Sequence, residues 1–170
     1  MEEDRFWAIV DSVRHGVRNS TEISEALTAA LTDLSTDELV SFDQHWHAAY
    51  QRADTWAVWA SSVLLFGSMG DDGFMDFRNW LISQGRVAFD NAVRDPDTLA
   101  ALAGDVDDEF DESLGSEALD LYERRTGRPL KVPPDDSSGF GEEELDLDDD
   151  AAVAARFPRL FAHYRDRWAG

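Results

Sequence analysis

Cysteine is absent from the 170 residues. Disulfides, thiolate zinc sites, iron–sulfur clusters and cysteine nucleophiles go with it. Lysine is almost missing as well: Lys131 is the one lysine among 15 basic residues. With no broad basic excess to neutralise phosphates, direct nucleic-acid binding is not expected. Long apolar runs are lacking too. The best candidate, residues 63–66, stops at Gly67, far short of the roughly 20 residues that cross a bilayer, so no membrane association is expected. The opening Met1-Glu2-Glu3-Asp4 is acidic where a secretory signal is basic, which predicts a cytoplasmic protein. The phosphate-cradling GxxxxGK[ST], the dinucleotide-binding GxGxxG, and the HExxH and GxSxG patterns are all missing. No cofactor is expected, and no catalytic residue can be named from a motif.

What is present is acid and aromatic. The formal charge is −21, but it is unevenly spread. Residues 95–112 carry 8 acids and residues 135–150 carry 9, with no base in either; elsewhere 19 acids face 15 bases. The acidity therefore belongs to two segments and not to the whole fold. An apolar content of 43% excludes global disorder.

Apolar residues recur at helical spacing from the start. Phe6, Ile9, Val10, Val13 and Val17 predict a helix over residues 3–17. Ile23, Leu27, Ala30, Leu31 and Leu34 predict a second, opened by Ser20 or Thr21 as N-cap. Ser35-Thr36-Asp37-Glu38 reads as a capping box, leading a third helix that turns Leu39, Phe42, Trp46, Ala49, Tyr50 and Ala53 inward. Residues 56–66 are apolar nearly all round, with Trp56, Trp59, Ala60, Val63 and Phe66 on one face. Gly67-Ser68-Met69-Gly70 stops that helix, and Asp71 or Asp72 is expected to cap the next, which carries Phe74, Phe77, Trp80, Leu81 and Ile82. Together they predict a central aromatic αα-hairpin. Beyond it the pattern predicts a turn through Val87, Phe89 and Val93, a short helix over 97–103, and a helix over 114–126 with Leu119 and Tyr122 inward. A last helix has Pro158 in its first turn and an apolar side of Leu160, Phe161, Tyr164 and Trp168. The expected fold is all-α: a compact single-domain helical array of about six to eight helices. Its parts are a helical core over 1–130, an acidic flexible segment over 131–150, and a C-terminal helix over 151–170 packed on the core.

Trp56-Ala57-Val58-Trp59, followed by the run from Asp71-Asp72-Gly73-Phe74 through Met75-Asp76-Phe77-Arg78 to Asn79-Trp80-Leu81-Ile82, resembles the bacterial family catalogued as domain of unknown function 4240. Phe6-Trp7 and Asp95-Pro96-Asp97 fit the same pattern over about residues 1–130, and Phe157-Pro158-Arg159-Leu160 resembles a tail segment of some members. The resemblance implies a bacterial, helical, single-domain protein and no particular reaction. Many members are richer in glycine before the acidic pair than Gly67-Ser68-Met69-Gly70.

Among candidate ligand-binding residues, Asp71 and Asp72 followed by Arg78 stand out. Two carboxylates at a helix start beside a guanidinium suit a cation or a polarisable substrate; the plainer role is capping and complementing the helix dipole. Asp43 and His47, one turn apart, suit half of a metal site or an oriented general base, or a surface ion pair. His45 and His47 point apart and cannot share a metal. His15 and His163 have no evident partner. Asp105, Asp107 and Glu109 alternate as in a calcium loop, but Phe110 stands where glycine is required and Ser116 where glutamate is. Asp146, Asp148 and Asp150 fail at the same places, with Ala151 and Phe157. No metal is expected. The function these features favour is a non-enzymatic protein-interaction or regulatory module whose acidic segments dock on a basic protein partner. The alternatives are a metal-dependent hydrolase built on carboxylates near Asp71 and Asp72, and an acidic nucleic-acid mimic.

Overall fold

Helix starts follow local chemistry, and they set the order of the fold. The computed structural model describes residues 1–14, 19–103, 110–131 and 145–167. These form α1 (Glu3–Val13), α2 (Ser20–Leu31), α3 (Thr36–Arg52), α4 (Trp56–Phe66), α5 (Asp71–Ser83) and α6 (Arg86–Arg94). A 3₁₀ helix (Pro96–Leu102), α7 (Glu117–Thr126), α8 (Asp150–Arg156) and α9 (Pro158–Arg167) follow. The all-α class holds, but with ten helical elements among the described residues in place of about six to eight. Breakers account for the surplus. Gly85, at φ 87, turns the chain so that the predicted turn becomes α6, and Phe157 separates α8 from α9 where one helix was expected; the short helix expected over 97–103 is present as the 3₁₀ helix that Pro96 opens.

The capping box at Ser35 forms as read: the Ser35 hydroxyl accepts from the Glu38 amide, and Glu38 accepts from the Ser35 amide at 2.9 Å. The Ser35 amide and hydroxyl, both donating to the Glu38 carboxylate, with Arg5 nearby, hold it down at about 2. α2 is capped one residue earlier than expected, by Asn19 accepting from the Glu22 amide at 2.8 Å, and not by Ser20 or Thr21. α1 ends at Val13; Val17, His15 and the end of the predicted 3–17 helix lie outside the described residues. So do 132–144 of the acidic segment, Asp105, Asp107 and Glu109, and Trp168.

Aromatic packing knits the helices. Phe6 meets Trp7 at 4.8 Å and Phe42 at 5.0 Å, and Trp7 meets Phe89 at 5.2 Å, so α1 joins α3 to α6. Phe66 at the end of α4 packs edge-on against Phe77 and Trp80 of α5, which closes the aromatic hairpin. α4 is buried nearly all round, as its composition demands, but its less covered side is the one carrying Trp59, Val63 and Phe66. Phe110, the residue that spoils the calcium-loop pattern, is a half-buried ring packed against the core, 5.1 Å from Phe66. α7 begins later than predicted, at Glu117, because Gly115 at φ 97 turns the chain just before it. That delay buries Ala118 and Leu121 in place of Leu119 and Tyr122. Among the described residues no helix is long and apolar enough to cross a membrane.

Candidate functional site

Trp56 and Trp59 sit three residues apart in the first turn of α4, on one side of the helix, and Thr55 caps that turn by accepting from the Val58 amide. Asp71 stands exposed in the first turn of α5. Opposite them runs the stretch 145–148, in which Leu145 and Leu147 are half-buried against the core while Asp146 and Asp148 are exposed. Asp146 accepts from the Asp148 amide at 3.0 Å, and Asp149 caps α8 through the Ala151 and Ala152 amides. These elements enclose an open groove of about 510 Å³ lined by Trp56, Trp59, Asp71 and residues 145–148. The half-buried Trp59 indole and three carboxylates around one space, with the buried Trp56 as its wall, favour a cation that presents a flat or methylene-rich surface. The chain's own Arg156 already brings its guanidinium carbon to 6.0 Å from the Trp56 ring centre.

The residues singled out from sequence are dispersed. Asp71 lines the groove; Asp72, Arg78, Asp43 and His47 do not. Neither aspartate caps α5, whose N-cap is Gly70; both are first-turn residues that complement the helix dipole. Arg78 is only 3% exposed and reaches α3. Its Nη2 donates to the Tyr50 hydroxyl at 2.7 Å, its Nη1 is 3.1 Å from Asp54, and its guanidinium lies 3.8 Å from the Tyr50 ring centre. Asp43 is buried, not on a solvated face; burial pushes its carboxyl up, partly offset by the charge of His47. His47 Nε2 lies 3.0 Å from the Gln51 amide nitrogen. Among the described residues no three or more His, Cys, Asp or Glu side chains gather as a metal site would require.

A second polar group was not foreseen. Glu117, at the start of α7, is 4% exposed. Burial pushes its carboxyl up to about 7, helped by the charge of Asp111 and opposed by Ser24 and by the amides of Glu117 and Gly115. Because the folded value lies above the unfolded one, the native state keeps a proton that the unfolded chain has already released. Glu117 therefore favours folding below about pH 4.5 and loses that contribution as pH rises through about 7. Glu117→Gln should be more stable than the natural chain by about 2–3 kcal/mol at about pH 8, with the gap closing near pH 4. Urea unfolding at both pH values measures this, and a pH-independent difference would refute it.

Two sequence signals, neither of them part of the sequence-based expectation, accompany these groups. The Leu145-Asp146-Leu147-Asp148 alternation inside an acidic run marks a segment with one face held against the core. The phase Leu114, Ala118, Leu121 puts Glu117 beside the buried face of α7. A model of the family described as Protein of unknown function (DUF4240) matches residues 1–124. Neither a curated protein nor a solved structure matches the chain.

Proposed function

We propose that this chain, which belongs to the DUF4240 family, is a non-enzymatic interaction module that receives an arginine- or lysine-bearing segment of a basic protein in the groove between Trp56, Trp59 and residues 145–148. The observation that carries this reading is the convergence of two indoles with Asp71, Asp146 and Asp148 on one open space. A guanidinium stacked on an indole gains about 0.5–2 kcal/mol, and a carboxylate at its edge adds directional hydrogen bonds. The net charge of −21 draws a basic partner in and speeds encounter, but it is sequence-blind. The groove supplies what overall charge lacks, a place where one side chain is held.

The test separates those two contributions. An arginine-rich peptide is titrated into the chain and binding is followed calorimetrically at low and moderate salt. Asp71→Asn, Asp146→Asn and Asp148→Asn together should weaken binding about tenfold or more. Removing three charges at the remote, exposed positions Glu25, Asp33 and Asp37 should weaken it far less. Equal losses in the two triple variants would reduce the interaction to bulk electrostatics and sink the groove. Trp59→Ala, which leaves every charge in place, should also weaken binding.

A further inference from the structure

α2 and α7 enclose a second, smaller pocket that shares no residue with the groove. Arg125 of α7 fastens the pair by donating to the carbonyls of Thr32 and Leu34, where α2 ends. The loop before α7 is fixed by Gly115. A side chain there would meet Asn79 Oδ1 and Trp46 Nε1, both at 2.7 Å, and those two atoms are themselves hydrogen-bonded at 2.9 Å. Between these supports lies a polar space of about 190 Å³ lined by Ser24, Thr28, Ser113 and Ser116, with Glu117, Asp120, Leu121 and Arg124.

Glu117 Oε2 accepts from the Gly115 amide at 2.9 Å, whereas the buried Oε1 makes no hydrogen bond of normal geometry among the described residues, with the Ser24 hydroxyl bearing on the carboxyl from nearby. An unpaired buried acceptor costs about 1–3 kcal/mol, and a helical core gains nothing from it. The adjoining hydroxyls are acceptors as well as donors. Ser24 and Ser113 Oγ lie 3.3 Å apart, and Ser116 donates away from the pocket, to the Ser113 carbonyl at 2.7 Å. Asp120 adds negative charge on the same helix face. Arg124, seven residues beyond Glu117, stands about 10 Å further along α7. The Glu117 end is therefore rich in acceptors and negative in potential.

We infer that this pocket binds a small organic ammonium ion, whose N–H groups are received by Glu117 Oε1 and by the hydroxyls of Ser24 and Ser113. Ammonium fits better than a divalent metal, which needs several charged or carbonyl oxygens at one point, while neutral hydroxyls serve N–H donors well. The volume matches about six water molecules, which admits a short alkylamine and excludes a folded peptide.

Backbone amide NMR at about pH 8, where Glu117 is ionised, tests the site with ethylammonium chloride. Tetramethylammonium chloride, which has no N–H, and sodium chloride serve as controls at equal ionic strength. The expected result is saturable shifts at Ser24, Ser113, Gly115 and Glu117 with ethylammonium alone, weakened about tenfold in Glu117→Gln. Ser24→Ala with Ser113→Ala, which keeps the carboxylate, should weaken binding as well; unaltered spectra elsewhere show that the variants are folded. Shifts of the same size with either control salt, no saturation, or full retention in Glu117→Gln would each overturn the assignment. Because neither variant touches the Trp56–Trp59 groove, failure here leaves the peptide titration standing, and the reverse also holds.

Discussion

Arg78→Met should lower the unfolding free energy by about 3–5 kcal/mol, the range for breaking a buried ion pair from one side. Methionine keeps much of the packing volume but leaves the Asp54 carboxylate, 19% exposed at its side chain, without the guanidinium 3.1 Å away. It also strips the Tyr50 hydroxyl of its donor at 2.7 Å and removes the cation from between the Tyr50 and Phe74 rings. Arg78→Lys retains the charge but not the planar fork or the stacking, and should cost about 1–2 kcal/mol. Adding Asp54→Asn to Arg78→Met should restore part of the loss, because the stranded charge goes with it. Urea denaturation of the natural chain, Arg78→Met, Asp54→Asn and the double variant forms a double-mutant cycle. If Arg78→Met stayed within about 1 kcal/mol of the natural chain, the structural role would be lost. A guanidinium serving a ligand at the surface would behave in the opposite way, leaving stability intact.

Arg78 also shows where sequence legibility stops. Its neighbourhood to Asp71 and Asp72 in sequence suggested a shared site, but α5 turns it inward, to Tyr50 on α3 and Asp54 in the loop that follows. Nothing in local spacing encodes that meeting. Features written within one turn were legible: the Ser35–Glu38 box and the inward face of α3 both depend on residues three or four apart. Features that depend on phase across a break were not. Gly115 at φ 97 delays α7 and so decides that Ala118, Leu121 and Glu117 are buried. The groove is long-range in the same sense. Trp56 and Trp59 fall on helical spacing that a core would use anyway, and what makes them a site is the approach of residues 145–148 from far along the chain.

The acidic segments divide accordingly. A run of carboxylates repels itself and gains nothing from burial, so composition alone predicts an irregular segment. Leu145 and Leu147, half-buried, supply the apolar contacts that hold Asp146 and Asp148 over the indoles. Part of the charge is thereby localised beside Trp56 and Trp59, and no longer merely added to the total.

Asp97→Ala should cost about 3–4 kcal/mol and should release α9. Asp97, 3% exposed, works as the N-cap of a helix more than sixty residues away. Pro158 at the first position of α9 has no N–H to satisfy. The next two amides, of Arg159 and Leu160, donate to Asp97 Oδ1 at 3.0 and 2.9 Å, and Arg159 Nε donates to Oδ2 at 2.8 Å. Alanine leaves those donors unpaired beside the buried Leu160, Phe157 and Val153. Asp97→Asn keeps one acceptor oxygen and should lose roughly half as much; Arg159→Ala keeps both amide bonds but takes the Nε donor from the buried Asp97 carboxylate, and should cost a measurable fraction of what Asp97→Ala does. Hydrogen exchange gives the sharper reading: amides of residues 158–167 should exchange much faster in Asp97→Ala while those of α3 and α5 slow or speed only with global stability. Unchanged protection in α9 would show that apolar contacts alone dock it. The consequence reaches the groove. Asp97 lies within the stretch matched by the family model and α9 beyond it, and residues 145–148 lead into the α8–α9 unit. Undocking α9 should therefore carry Asp146 and Asp148 away from Trp56 and Trp59, and the arginine-peptide affinity should fall in Asp97→Ala although no groove residue has been altered.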